Sequence, residues 1–167
     1  LQRVVGILVL AAVAALAAVL LVAADRQGPI VAELGGWPAP VGIALVADRL
    51  SALLLLVSTL VTLAVLVYAI DQRIADYGRT TASTTFHPMY LMLCAGVSLA
   101  YLTGDLFTLF VAFELMLTAS YVLITRRTGA SRIRAGMTYV TVSLLSSLLF
   151  LTAVAMVYAA TGTVNLA

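Results

Sequence analysis

Residues 104–124 read GDLFTLFVAFELMLTASYVLI, an apolar stretch that opens with Asp105 and carries a second carboxyl group, Glu114, near its middle. It is just long enough to cross a bilayer as a helix, because a span needs about 20 residues. Glu114 follows Asp105 by nine residues, which is roughly 13–14 Å of helix and close to half of a ~30 Å hydrocarbon core. Inserting a charge at that depth costs roughly 2.5–3.5 kcal/mol. Glu114 is therefore a candidate functional residue.

The composition of the whole chain is that of a membrane protein. Of its 167 residues, 63% are hydrophobic and 10% are charged, and the mean hydropathy is +1.15. A soluble domain carries about 25% charged residues, so this chain cannot cover a water-facing surface. The net charge of +2 is too small to indicate binding to nucleic acid. The single cysteine, Cys94, excludes an internal disulfide and a cysteine-based zinc site.

The apolar runs predict an all-α, polytopic integral membrane protein with about five transmembrane helices in a single membrane domain. Glycines and prolines exclude a helix at residues 35–40, and residues 41–46 are expected to form a short extended piece. Asp48 and Asp105 are predicted N-caps, Gly104 a turn residue with positive φ, and Gly162 the residue that ends the last helix. The predicted helices lie at about 2–24, 48–70, 86–102, 106–124 and 136–161, with an external loop at 25–47.

The arginines predict the orientation of the helices. If five helices alternate, Arg26 and Arg49 lie on one side of the membrane and the other seven arginines on the opposite side. Since cytoplasmic loops carry an excess of basic residues, the side with seven is expected to be cytoplasmic. The amino end of the chain is then cytoplasmic and its carboxyl end external, in the cytoplasmic membrane. The seven are Arg3, Arg73, Arg79, Arg126, Arg127, Arg132 and Arg134.

Hydroxyl groups lie on the helical face of Glu114 and in stripes on two neighbouring helices. Together the stripes could enclose a hydrated passage at mid-depth. Alternatively, such hydroxyls only support helix packing, at under about 1 kcal/mol each. On the third helix the stripe is Tyr90, Cys94, Ser98 and Tyr101, and on the fifth it is Tyr139, Ser143, Ser146 and Ser147. The predicted polar path beside Glu114 consists of Thr118, Tyr121, Tyr139, Ser143 and Ser146.

The cationic partner of Glu114 is expected to come from outside this chain. No lysine occurs in the sequence, and every arginine lies in or near a loop. His87 is the only histidine, and it is expected to be solvated at the entrance of the third helix, which Thr84 or Thr85 would cap with Pro88 in the first turn. Without a second His or Cys nearby, a metal site has no support. No P-loop, GxGxxG or CxxC motif indicates a cofactor.

Several motifs together resemble the D subunits of Mrp-type Na⁺/H⁺ antiporters. They are LTGDLF at 102–107, FEL at 113–115, ASYVL at 119–123, GGWPAPVGI at 35–43, DRLSAL at 48–53, RAGMTYV at 134–140 and YAATGTVNLA at 158–167. That family is homologous to the proton-pumping, antiporter-like subunits of respiratory complex I and of membrane-bound hydrogenases. The resemblance covers nearly the whole chain, and it implies a longer subunit of which helices two to six are present here.

The resemblance also implies a role for Glu114, which takes the place of the family's essential fifth-helix glutamate. In the family that glutamate pairs with a lysine on the seventh helix. Thr108 stands where Asn is expected, and Ser143 stands where the sixth helix often has Asn. Both residues keep a hydrogen-bonding group of shorter reach. The implied function is proton translocation in a multisubunit cation/proton antiporter, with other membrane subunits as partners and a monovalent cation, foremost Na⁺, as the exchanged ion.

Two other functions remain open at this point. The chain could belong to a proton-pumping subunit of an NADH:quinone oxidoreductase or of a membrane-bound hydrogenase complex, which uses the same chemistry with a different energy source. It could also be a non-transporting membrane scaffold in which Glu114 pairs structurally with a neighbouring cation. A transporter subunit is favoured over an enzyme, since only the redox-driven alternative makes the chain part of an enzyme.

Overall fold

Five helices, each long and apolar enough to span a membrane, make up most of the described chain. The computed structural model describes residues 2–37, 42–72, 82–125 and 130–166. The predicted fold class, an all-α polytopic membrane protein, is confirmed. In chain order the elements are α1 (Gln2–Gln27), β1 (Ile30–Leu34), β2 (Ile43–Ala47), α2 (Arg49–Asp71), α3 (Ala82–Leu102), α4 (Leu106–Thr125) and α5 (Ala130–Thr161).

The connection between α1 and α2 contains a β-hairpin. Strands β1 and β2 pair antiparallel, with Ile30 opposite Ala47 and Leu34 opposite Ile43. The sequence predicted an extended piece only at residues 41–46, and β1 was missed because IVAEL was interpreted as part of a loop. At the base of the hairpin an exposed ion pair joins the two helices, with Arg49 Nε 3.1 Å from Asp25 Oδ1.

A ladder of backbone hydrogen bonds ties together three connections at one end of the bundle. The amide of Gly104 donates to the carbonyl of Ala44 in β2, at 2.8 Å. Two further bonds, of 2.9 Å each, run from Leu106 N to Val164 O and from Leu166 N to Gly104 O. The hairpin, the α3–α4 turn and the segment after α5 therefore meet at the same end, as helices of alternating direction require.

Gly104 allows β2 to approach the α3–α4 turn closely in this ladder. The prediction of a positive φ at Gly104 was wrong, because its backbone lies outside the left-handed region. A Cβ at this position would come within 3.0 Å of Ala44 O and 2.9 Å of Val46 Cγ2. The absence of a side chain lets β2 reach the α3–α4 turn.

Small residues determine which face of α4 packs on α3. Ala112 and Ala119 are fully buried, and a Cβ on Gly96 of α3 would lie only 3.1 Å from Ala112 O and 2.7 Å from Met116 Cγ. Small side chains let the two backbones approach closely. A different face of α4, which includes Glu114, is left to meet α5.

Three helices extend beyond their predicted limits by three residues or more. Helix α1 continues to Gln27 and ends at Gly28, whose φ is +84° and whose amide donates to Ala24 O, as a C′ glycine does. Helix α3 begins at Ala82, so the expected threonine cap was wrong and Pro88 lies inside the helix. Because proline removes one amide donor, the helix loses one hydrogen bond there and continues. Helix α5 begins at Ala130, six residues before its predicted start at 136. The added residues include alanine and arginine, which have high helix propensities.

Candidate functional site

Glu114 lies midway along α4 and points toward α5. Its side chain is partly buried, and the hydroxyl of Ser147 in α5 donates a hydrogen bond to Glu114 Oε1. This bond joins residues 33 positions apart in the chain. It is a charge-assisted bond when the carboxyl group is ionised. The α4–α5 contact therefore holds the carboxyl group in one position between the two helices.

A cavity of about 190 Å³ lies beside Glu114, between α4 and α5. It has room for several water molecules, since one takes about 30 Å³ in the liquid. Leu117, Val140 and Leu144 form its apolar wall. Its polar lining consists of Glu114, Thr118, Tyr121, Tyr139, Ser143 and Ser147. A small cavity that places one carboxyl group beside several hydroxyl groups is suited to proton exchange with water.

The structure brings four of the five predicted path residues to this cavity. Ser146 is the exception, since its side chain is exposed and its hydroxyl donates to Val142 O within α5, at 3.0 Å. Ser147 takes its place. The reason is helical spacing, because Tyr139, Ser143 and Ser147 follow one another at intervals of four residues and share a face. That spacing was present in the sequence and favoured Ser147 over Ser146.

The polar stripe of α3 lies away from the Glu114 cavity, so the three stripes do not line one common cavity. Tyr90, Cys94 and Ser98 face α1 and α2, where Tyr90 Oη donates to Thr62 O at 2.7 Å. Cys94 and Ser98 line a second cavity, of about 370 Å³, between these three helices. The side of α4 that carries Ala112 packs on α3, which leaves Glu114 on another side of its helix.

His87 is also placed differently from its prediction. It was expected to be solvated at the helix entrance, but only 5% of it is exposed. A Cβ on Gly6 of α1 would lie 3.8 Å from His87 Nδ1, so α1 covers the ring. The longer α3 places His87 in the second turn of that helix, where α1 packs against it. Among the described residues, no three His, Cys, Asp or Glu side chains gather as a metal site.

Both aspartates that were predicted as N-caps have that role. At α2, Ser51 N donates to Asp48 Oδ1 at 2.6 Å, and Asp48 N donates to Ser51 Oγ at 2.9 Å. Hydrogen bonds from the backbone and the side chain of Ser51 to the carboxylate lower the pKa of Asp48 below its ordinary value. At α4, Thr108 N donates to Asp105 Oδ1 at 2.6 Å, so Thr108 contributes its backbone to the cap. Gly162, with φ of +74°, ends α5 as predicted.

Comparison with known proteins identifies relatives of the whole chain. A family described as "NADH:quinone oxidoreductase/Mrp antiporter, TM" matches residues 103–167, which include Glu114 and Ser147. The D subunit of a probable K⁺/H⁺ antiporter of Rhizobium meliloti is 46% identical over 140 residues, which cover 84% of this chain and 25% of that protein. The D subunit of the Na⁺/H⁺ antiporter of Alkalihalophilus pseudofirmus is 40% identical over 142 residues, 85% of this chain and 28% of that one.

A solved structure, that of the Mrp complex from a Dietzia species, contains a chain with the same fold. The TM-score is 0.85 at 36% sequence identity, over 98% of this chain and 30% of the Dietzia chain. The chain thus spans between a quarter and a third of the length of these relatives. By these similarities residues 103–167 match the NADH:quinone oxidoreductase/Mrp antiporter family, and the chain is homologous to part of the D subunits of Mrp-type antiporters.

Proposed function

We propose that the chain is part of a proton-translocating subunit of a multisubunit cation/proton antiporter, and that Glu114 is its proton relay. The observation that carries this proposal is the position of Glu114. It lies halfway along a membrane-spanning helix and lines a cavity that also contains several hydroxyl groups. Ionisable residues at that depth are costly and mark ion or proton pathways. The names of the relatives support antiport as the process.

On this chain, the proposed relay uses one carboxyl group and water. Ionised Glu114 accepts an excess proton that is conducted through water in the cavity, becomes neutral, and later releases the proton to the next acceptor. The Ser147 hydroxyl donates to Oε1, which fixes the direction of the carboxyl group. Thr118 and Ser143 lie on the same cavity and can orient water along it. A positive group supplied by another part of the complex would complete the relay.

The exchanged ion is a monovalent cation. The sequence resemblance favours Na⁺, whereas the two relatives are named for K⁺ and for Na⁺ respectively. The partners are other membrane subunits, and the Dietzia relative belongs to an Mrp complex. The seven-to-two distribution of arginines supports a cytoplasmic amino end and an external carboxyl end in the cytoplasmic membrane. In that orientation the ladder around Gly104 lies on the external side.

Replacement of Glu114 by glutamine in the complete complex tests the proposal. Glu114→Gln keeps the shape of the side chain and removes its titration, so cation/proton antiport in membrane vesicles is expected to be lost while the complex still assembles. Glu33→Gln is the matched control, since Glu33 is the other glutamate of the chain and lies exposed in β1. That variant is expected to transport normally. Wild-type antiport by Glu114→Gln would refute the role of Glu114.

A redox-driven proton pump is the second candidate, because the family description includes NADH:quinone oxidoreductase. Purification of the native complex separates the two. Soluble iron–sulfur or NADH-oxidising subunits would favour the pump, and membrane subunits alone would favour the antiporter. A purely structural role of Glu114 predicts a different result again, in which Glu114→Gln prevents assembly of the complex.

A further inference from the structure

The two sides of Glu114 along the α4–α5 contact differ in chemistry. Every residue that lines the Glu114 cavity lies at or after Glu114 in α4, or at or before Ser147 in α5. Because α5 runs antiparallel to α4, both sets lie on the same side of the carboxyl group, toward the end where α4 finishes. On the opposite side, the next turn of each helix carries phenylalanine, Phe110 in α4 and Phe150 in α5.

These phenylalanines contact one another across the α4–α5 contact. The ring centroids of Phe110 and Phe150 are 5.9 Å apart with their planes at 70°, and those of Phe113 and Phe150 are 5.7 Å apart at 78°. Both are edge-to-face arrangements at contact distance. Phe150 therefore packs its ring against two rings of α4, in the layer directly next to the Glu114–Ser147 hydrogen bond.

We propose that Phe110, Phe113 and Phe150, here called the phenylalanine layer, form a hydrophobic barrier that closes Glu114 off from the end of the membrane where α4 begins. Protons then reach Glu114 through the cavity beside Thr118. The proposal rests on the proton-relay function and adds to it the direction of access. A phenyl ring offers water no strong hydrogen-bonding group, and a water site needs two to four polar partners. Hydrophobic constrictions exclude water and thereby block ion passage.

Ordinary packing is the competing explanation of the layer, since aromatic pairs also stabilise helix contacts by about 0.5–1.5 kcal/mol. The two explanations differ in what loss of a ring does. If the rings only pack, a smaller side chain weakens the complex and leaves access to the cavity one-sided. If they are a barrier, a smaller side chain at Phe150 connects the cavity to the other end of the α4–α5 contact.

Cysteine labelling in the assembled complex measures that access directly. Cys94 is the only cysteine of these 167 residues. With Cys94→Ser, and with any cysteine elsewhere in the subunit replaced in the same way, Thr118→Cys places one thiol in the cavity. A membrane-impermeant methanethiosulfonate is applied to right-side-out and to inverted vesicles, and labelling of this chain is quantified. Labelling is expected only from the face at which α4 ends. Equal labelling from both faces in this background would overturn the proposal.

Loss of the ring then tests the barrier. Addition of Phe150→Ala is expected to raise labelling from the second face from background to the rate at the first face. Leu148→Ala is the matched control, because Leu148 is 63% exposed on another side of α5, and it is expected to leave labelling one-sided. If Phe150→Ala does not assemble, Phe150→Ser and Phe110→Ala serve the same purpose. One-sided labelling in an assembled layer variant would refute the barrier.

The labelling does not depend on transport, so the barrier and the relay can fail separately. Normal antiport by Glu114→Gln would refute the relay and leave the labelling pattern unchanged. Unaltered one-sided access after loss of Phe150 would refute the barrier and leave the effect of Glu114→Gln unchanged.

Discussion

Ser147 gives the sharpest test of the site, because its neighbour Ser146 is chemically identical and differently placed. Ser147→Ala removes the hydroxyl that donates to Glu114 Oε1. Ser146→Ala removes a hydroxyl that donates to Val142 O of its own helix. The two variants lose the same atom from adjacent positions of α5. Only the first is expected to slow antiport.

The size of the effect follows from the surroundings of the bond. A hydrogen bond to a charged group contributes about 1.5–3 kcal/mol in proteins, whereas side-chain hydrogen bonds within membranes average about 0.6 kcal/mol. Glu114 borders a cavity with room for water, and water can partly replace the lost hydroxyl. The free energy lost with the Ser147 hydroxyl is therefore expected to lie nearer the smaller figure, at about 1 kcal/mol. Since 1.4 kcal/mol is a factor of ten, Ser147→Ala is expected to reduce the antiport rate roughly fivefold.

The assay is cation-dependent dissipation of a pH gradient in inverted vesicles, followed by a fluorescent pH probe at several cation concentrations. Ser147→Thr keeps the hydroxyl and is expected to restore most of the rate, which a simple packing role would not explain. In a Glu114→Gln background, Ser147→Ala is expected to add no further loss. Equal rates for wild type and Ser147→Ala, or equal losses for the Ser146 and Ser147 variants, would refute the reasoning.

Two further predictions concern stability, measured by thermal denaturation of the purified complex. Gly96→Ala places a Cβ 2.7 Å from Met116 Cγ and is expected to destabilise the α3–α4 contact by about 1–3 kcal/mol. Gly6→Ala is the control, because the nearest atom to a Cβ there is 3.4 Å away and alanine should be tolerated. Equal losses of stability in the two variants would contradict the packing. Asp48→Ala is expected to cost about 1 kcal/mol, the usual value of an N-cap. Because hydrogen bonds from Ser51 lower the pKa of Asp48 below its ordinary 3.8, this contribution is present above that value and is lost as pH falls through the lower, folded-state pKa. The difference from wild type should therefore shrink in acid, and a difference that grows there would refute the cap.

Hydrophobicity and local chemistry in the sequence were enough to predict the membrane-spanning helices and the N-caps at Asp48 and Asp105, and to single out Glu114 as a candidate. These features depend on residues close together in the chain. A run of some 20 apolar residues must form a helix in a bilayer to satisfy its backbone hydrogen bonds. A carboxylate three residues before a free amide caps it. A mid-span carboxyl group is conspicuous without any knowledge of its neighbours.

What faces Glu114 was decided by tertiary packing. The sequence offered three polar stripes, and only the structure showed that the one on α3 belongs to a second cavity while Ser147 of α5 reaches the carboxyl group. The hairpin and its contact with Gly104 likewise join residues far apart in sequence. The physical reason is that close approach at Gly96 and Ala112 determines the rotation of α4 about its own axis. That rotation turns Glu114 toward α5. It cannot be read from the helical periodicity of the sequence.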